Sequence, residues 1–171
     1  AGSTGDLLEH LTSQDSVAFT GSLATSTTLQ AHPNILKNAV PFTAERDSLN
    51  CSILGPDAAP GSAEFDLFVK EVAKEMCVKA GQKCTAIRRI IVPESRMEAV
   101  SAALAKRLAG VTIGDPRLET TRMGPLASLA QRADVRSQIA RLAADCEVVS
   151  GDPDGRIAGA EDGAYLAPVL L

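Results

Sequence analysis

Apolar residues recur at helical spacing in several long stretches of the chain and gather into short β-branched runs between them. The clearest helix lies over 62–79, where Phe65, Val69, Val72, Ala73, Met76 and Ala80 fall on one face at three- and four-residue steps. Glu64 and Asp66 stand near its start and Lys79 near its end, the charge order a helix macrodipole favours, and Gly81 supplies a C-terminal cap. Another helix follows Pro93 and stops at Gly110, and "LAQRADVRSQIARLAADC" supplies one more. Upstream, Leu7, Leu8 and Leu11 form the stripe of a short helix, and "SLATSTTLQAH" reads as the next. The strands are "SVAFTG", an extended piece up to Glu45, "CSILG" closed by Gly-Pro, "AIRRIIV", "EVVSG" and the final "AYLAPVLL". Strands alternating with helices predict an α/β fold, a largely parallel sheet covered by helices. One long irregular stretch, "VTIGDPRLETTRMGPLAS", interrupts the alternation, and no repeat or interdomain linker is visible.

Composition narrows the function classes. With 171 residues, 45% hydrophobic and 22% charged, the chain can bury a substantial core. A net charge of −4, with no basic cluster longer than "RR", argues against nucleic-acid and acidic-membrane partners. No apolar run is long enough to span a bilayer and the start lacks signal-peptide order, so a cytoplasmic protein is expected. Cys51, Cys77, Cys84 and Cys146 form no CxxC pair and no metal-type cluster with His10 or His32, which predicts reduced thiols and no metal. The chain starts without methionine and stops in an apolar segment, so a fragment of a larger protein is expected.

The chemistry centres on a few residues. Cys84, in "KAGQKCTAIRRIIVP", is either a small buried hydrophobe or a nucleophile at the mouth of a cleft. It follows a helix C-terminus, where the dipole disfavours a thiolate, so activation has to come from Lys83, Arg88, Arg89, a base or a cationic cofactor. Glu45 reads as a general base or as an exposed edge residue. Gly21 and Ser22, between a strand and a helix, form a place for a phosphate or simply the turn. Cys51, Cys77 and Cys146 read as structural, and His10 and His32 as surface residues.

Taken in order, "FTGS" at 19–22, Glu45 before an apolar strand, "AGQKCTA" at 80–86, "GDP" at 114–116, "MGPL" at 123–126 and the terminal "AYLAPVLL" resemble aldehyde dehydrogenases along the whole chain. More narrowly, "ERDSLNCSILG" and "KAGQKCTAIRRIIVP" resemble the branch acting on CoA-linked semialdehydes in aerobic aromatic degradation, the phenylacetate type often fused to a hydratase domain. The family usually has "ELGGK" where this chain has "ERDSLN".

The resemblance implies that Cys84 is the nucleophile and Glu45 the base that activates water. NAD or NADP is the implied hydride acceptor, contacted by Gly21 and Ser22, with Gly2 and Gly5 at the turn opening a neighbouring cofactor helix. It also implies that residues 1–44 are the C-terminal part of a coenzyme-binding domain and 45–171 a catalytic domain incomplete at its C-terminal end. The implied partners are an aldehyde, CoA-linked in that branch, and a second copy of the chain in a dimer or larger homo-oligomer. A semialdehyde dehydrogenase of the benzoyl-CoA pathway, acyl transfer to CoA in place of hydrolysis, and a catalytically inactive α/β interaction domain are the competing readings, and Glu45 favours water over CoA.

Overall fold

A computed structural model describes residues 4–159 and 161–171, and the chain divides into two compact units, the first closing at Ser48 and the second beginning at Leu49. In the first unit, strand β1 (Val17–Thr20), helices α1 (Leu23–Gln30) and α2 (Pro33–Lys37) and strand β2 (Phe42–Glu45) follow in sequence. The strands pair in parallel, Val17 opposite Phe42 and Thr20 opposite Glu45. Ser22 caps α1 by accepting a hydrogen bond from Thr25 N. Three features differ from the sequence reading. Leu7, Leu8 and Leu11 form no α-helix; Leu7–His10 is a single 3-10 turn with Leu7 exposed and Leu8 half-buried. The short α2 was not expected, although Pro33 at its first turn is the sequence signature of a helix start. His32 is half-buried, not a bare surface residue: its Nδ1 caps α2 by accepting from Asn34 N at 3.3 Å. Asn34 in turn pins the 3-10 segment, its Nδ2 donating to the carbonyls of Leu8 and Leu11 at 2.8 and 2.7 Å.

The second unit holds β3 (Asn50–Ile53), α3 (Ala63–Cys77), β4 (Ile87–Ile91), α4 (Met97–Ala109) and α5 (Leu129–Ala143). β3 and β4 are also parallel, so both pairs have the orientation that strand-helix alternation predicts. Helix α3 starts at the Ser62 cap and buries Phe65, Val69, Val72, Ala73 and Cys77 along one stripe. Against that stripe pack Leu54 from beyond β3 and Val100, Leu104 and Leu108 of α4, with Val72 and Leu104 almost completely shielded from solvent. Each such side chain contributes roughly 1.5–3 kcal/mol by leaving water. A smaller cluster of Leu126, Ala164 and Leu166 packs beneath Val135 and Ile139 of α5.

The expected strands at 147–151 and 164–171 reduce to one antiparallel bridge between Ser150 and Leu170. Pro168 explains the loss, since it has no N–H for a ladder. Its carbonyl also approaches Gly151 so closely that a Cβ there would lie 2.4 Å away, and Gly151 has a left-handed φ of 94°.

Candidate active site

Cys84 stands on a turn between α3 and β4 and is exposed, not buried as a small core hydrophobe would be. The chain reaches it through an unusual reversal. Helix α3 ends at Cys77, short of the expected cap, and Lys79, Ala80 and Gly81 then take positive φ values of 54°, 53° and 70°. Only Gly81 adopts that region without steric cost, so two ordinary residues are held there by their surroundings. The surroundings are side chains. Gln82 Nε2 donates to Lys79 O at 2.9 Å, and its Oε1 accepts from Ala127 N at 2.8 Å, tying the turn to the end of "MGPL". Arg88 Nη2 donates to Gly81 O at 2.7 Å. Lys83 Nζ reaches Glu75 of α3, 2.8 Å from Oε1 with hydrogen-bond geometry and 2.7 Å from Oε2 as an ion-pair contact only. From β3, Asn50 Nδ2 donates to the carbonyls of Cys84 and Ala86.

The cations named as possible activators of Cys84 therefore have structural work. Lys83 pairs with Glu75, Arg88 holds Gly81, and Arg89 Nη2 donates to Leu49 O at 2.8 Å. Cys77 is buried, and burial pushes its thiol up from the ordinary value, as suits an inert residue. Cys51 and Cys146 are exposed; Cys51 lies within β3, and the strand expected after Cys146 reduces to the bridge at Ser150.

In the first unit the register of β1 and β2 brings Gly21, Ser22 and Glu45 together at the carboxyl ends of two parallel strands. Thr20 lies opposite Glu45, and Gly21 N donates to Glu45 O at 3.0 Å. Crevices at such strand ends are where open α/β sheets bind ligands. Gly21 leaves room for the Phe19 ring, whose Cζ would lie 2.6 Å from a Cβ at that position. Glu45 is exposed. Asp47 was not singled out in the sequence, yet its Oδ2 accepts from Leu23 N at 2.9 Å, so a carboxylate of the chain already sits at the α1 N-terminus where a phosphate was expected. Gly5, with φ of 59°, makes the turn before Leu7–His10, as its freedom from Cβ strain allows. Gly2 lies outside the described residues.

The "GDP" and "MGPL" segments meet within the second unit, Ile113 bridging Met123 and Gly114 N donating to Met123 O at 3.1 Å. Asp115 grips the Arg117 side chain and backbone, and that guanidinium holds its carboxyl down to about 2. Among the described residues no group of His, Cys, Asp or Glu side chains is arranged to hold a metal ion, and no helix is long and apolar enough to cross a membrane.

Comparison with known proteins matches these features to one family. The profile of the Aldehyde dehydrogenase family matches residues 1–171. The 3,4-dehydroadipyl-CoA semialdehyde dehydrogenase of Aromatoleum evansii is 48% identical, the match covering 99% of this chain and 34% of that protein. The 3-succinoylsemialdehyde-pyridine dehydrogenase of Pseudomonas sp is 28% identical over 92% of this chain and 31% of its own length. Aldehyde dehydrogenase C from Pseudomonas syringae, solved as a cysteine-to-alanine variant with NAD+ and octanal, superposes with a TM-score of 0.80 at 31% identity, covering 91% of this chain and 30% of that one. Betaine aldehyde dehydrogenase from Staphylococcus aureus in complex with NAD+ gives 0.77 at 25% identity, with the same coverage. This chain thus spans about a third of the length of the relatives it matches. With the profile covering every residue, and with the solved structures sharing the fold, the chain belongs to the aldehyde dehydrogenase family.

Proposed function

We propose that this chain carries the nucleophile and the base of an NAD- or NADP-dependent aldehyde dehydrogenase that converts an aldehyde to a carboxylic acid. The observation that carries the reading is the exposed Cys84 on a turn held by side chains from three elements, within a chain 48% identical to a CoA-semialdehyde dehydrogenase. Two of the solved relatives single out a cysteine, one replaced by alanine and one modified by mercaptoethanol, which supports a reactive thiol in such proteins.

Sγ of Cys84 attacks the aldehyde carbon, and the carbonyl oxygen takes up a proton to give a thiohemiacetal. The backbone N–H of Cys84 serves as a donor to the oxygen as charge develops there. A nicotinamide cofactor, when bound, would supply the acceptor for the hydride on this carbon; with the hydroxyl proton released to solvent, Cys84 would then hold the acyl group as a thioester. Glu45 takes a proton from water, the water oxygen bonds to the acyl carbon, the C–S bond breaks and the acid departs. In this reading Gly21 and Ser22 lie beside the cofactor diphosphate, as the family resemblance implies, although the Phe19 ring fills the space next to Gly21 and the Ser22 hydroxyl caps α1. Asp47 lies beside them on Leu23 N and opposes a second anion at that spot.

The substrate in this reading is a semialdehyde linked to CoA, supported by the similarity to the 3,4-dehydroadipyl-CoA semialdehyde dehydrogenase of Aromatoleum evansii; its origin in aerobic aromatic degradation of the phenylacetate type is the branch that the sequence resembles. In this reading residues 1–44 come from the coenzyme-binding domain and 45–171 from the catalytic domain. The protein is cytoplasmic, in keeping with its reduced cysteines. It assembles as a homo-oligomer, a state supported by the exposed Leu49, Ile53 and Ile91 around the open edges of the β3–β4 pair.

The test is a graft: this chain replaces the matching third of the Aromatoleum evansii enzyme. Cys84→Ala abolishes aldehyde oxidation, whereas Glu45→Gln still yields a burst of reduced cofactor and an acyl adduct on Cys84 in mass spectrometry. Turnover by Cys84→Ala at the unmodified rate, or an adduct on Cys77, overturns the reading.

A further inference from the structure

The geometry points to Asn50 as a positioning residue for Cys84: its carboxamide clamps two backbone carbonyls of the thiol-bearing turn and so sets how that turn presents the sulfur. The inference rests on the reading of Cys84 as nucleophile. Asn50 Nδ2 lies 2.5 Å from Cys84 O and 3.2 Å from Ala86 O. A primary amide has two N–H donors, and the two carbonyls use both. Asparagine is a poor strand former, yet it opens β3.

The strand register supplies a second, independent sign. Asn50 pairs with Ile87 but Cys51 pairs with Arg89, so the ladder breaks between Asn50 and Cys51 and Arg88 is the extra residue. Irregularities of this kind re-aim side chains at strand ends. Here both sides of the break turn back to the same loop, Arg88 to Gly81 O and Asn50 to Cys84 O and Ala86 O. With its oxygen held by the carboxamide, the peptide after Cys84 is kept from flipping, so the negative end of its dipole is not free to swing toward the sulfur and oppose a thiolate. An aspartate of the same shape would set an acceptor against two acceptors.

The 171-residue chain tests this directly. In the isotopically labelled protein, NMR correlations transmitted through hydrogen bonds are expected from Asn50 Nδ2 to the carbonyl carbons of Cys84 and Ala86. Iodoacetamide labelling, read by mass spectrometry with Cys146 as internal reference, is expected to slow at Cys84 by about fivefold in Asn50→Ala, the worth of one hydrogen bond, and by at least as much in Asn50→Asp. The Leu54 amide, bonded to Ile91 O at 2.9 Å, reports that the sheet is intact and should stay protected. Absence of the correlations, or an unaltered labelling ratio in a variant that keeps Leu54 protected, overturns the positioning role. Should neither variant keep that protection, the correlations in the unaltered chain decide. An unaltered ratio beside an acyl adduct on Cys84 in the graft defeats the clamp alone; correlations and a slowed ratio without any adduct support the clamp and defeat the nucleophile reading.

Discussion

The corner at Gly21, Ser22 and Glu45 and the turn at Cys84 are built by opposite means. At the corner, backbone register does the placing: once Val17 lies opposite Phe42, the ladder carries Thr20 to Glu45 and Gly21 N to Glu45 O. At the turn no ladder exists, and two non-glycine residues sit in left-handed conformations. Gln82, Lys83, Arg88 and Asn50 hold that backbone from outside. A site placed by register tolerates changes in its side chains. One placed by side-chain clamps does not, and each clamp is a separate point of failure.

The contrast is broken most severely by removing the partner of Lys83. Glu75→Ala leaves a half-buried ammonium facing no carboxylate, the pair being 23% and 19% exposed. A loss of about 1–2 kcal/mol is expected, between the values for exposed and fully buried pairs, seen as a lower urea midpoint at unchanged slope. A comparable change at the corner, Thr20→Ala, should move the midpoint by less than about 0.5 kcal/mol, since Thr20 is exposed and its backbone bonds persist.

Lys79→Gly sharpens the comparison with the opposite sign. Lys79 is exposed and has φ of 54°, so glycine relieves steric cost without opening a cavity, and a gain of about 1 kcal/mol is expected. No gain in thermal midpoint would mean that the left-handed turn costs nothing.

The smallest effect belongs to Asp115. Arg117 lowers its carboxyl from 3.8 to about 2, so the pair stabilises the folded chain fully above about pH 4, and that contribution is lost as pH falls through about 2. Comparing Asp115→Asn with the unaltered chain should show a slight, salt-sensitive loss near neutral pH that vanishes at the acid end. A difference that grows on acidification contradicts this.

Much of the architecture is readable in the one-dimensional pattern because it depends on local period. The stripe from Phe65 to Cys77, the helix closed by Gly110 and the β-branched run at Ile87–Ile91 each declare themselves within a few turns. Failures occur where the deciding partner is distant in sequence. The segment with Leu7, Leu8 and Leu11 is held as a 3-10 turn by Asn34, and Pro168 with Gly151 turns two expected strands into one bridge.

The site divides in the same way. By itself the sequence determined the order of chemically distinctive residues, the α/β class and the family, because motif order and hydrophobic period need no partner. Tertiary structure alone decided that Cys84 is exposed, that Lys83, Arg88 and Arg89 are spent on holding the chain, that Asp47 occupies the α1 N-terminus and that Asn50 grips the turn. Those outcomes depend on which donor meets which acceptor across 7 to 40 residues of chain, a pairing fixed only when strands and helices have packed.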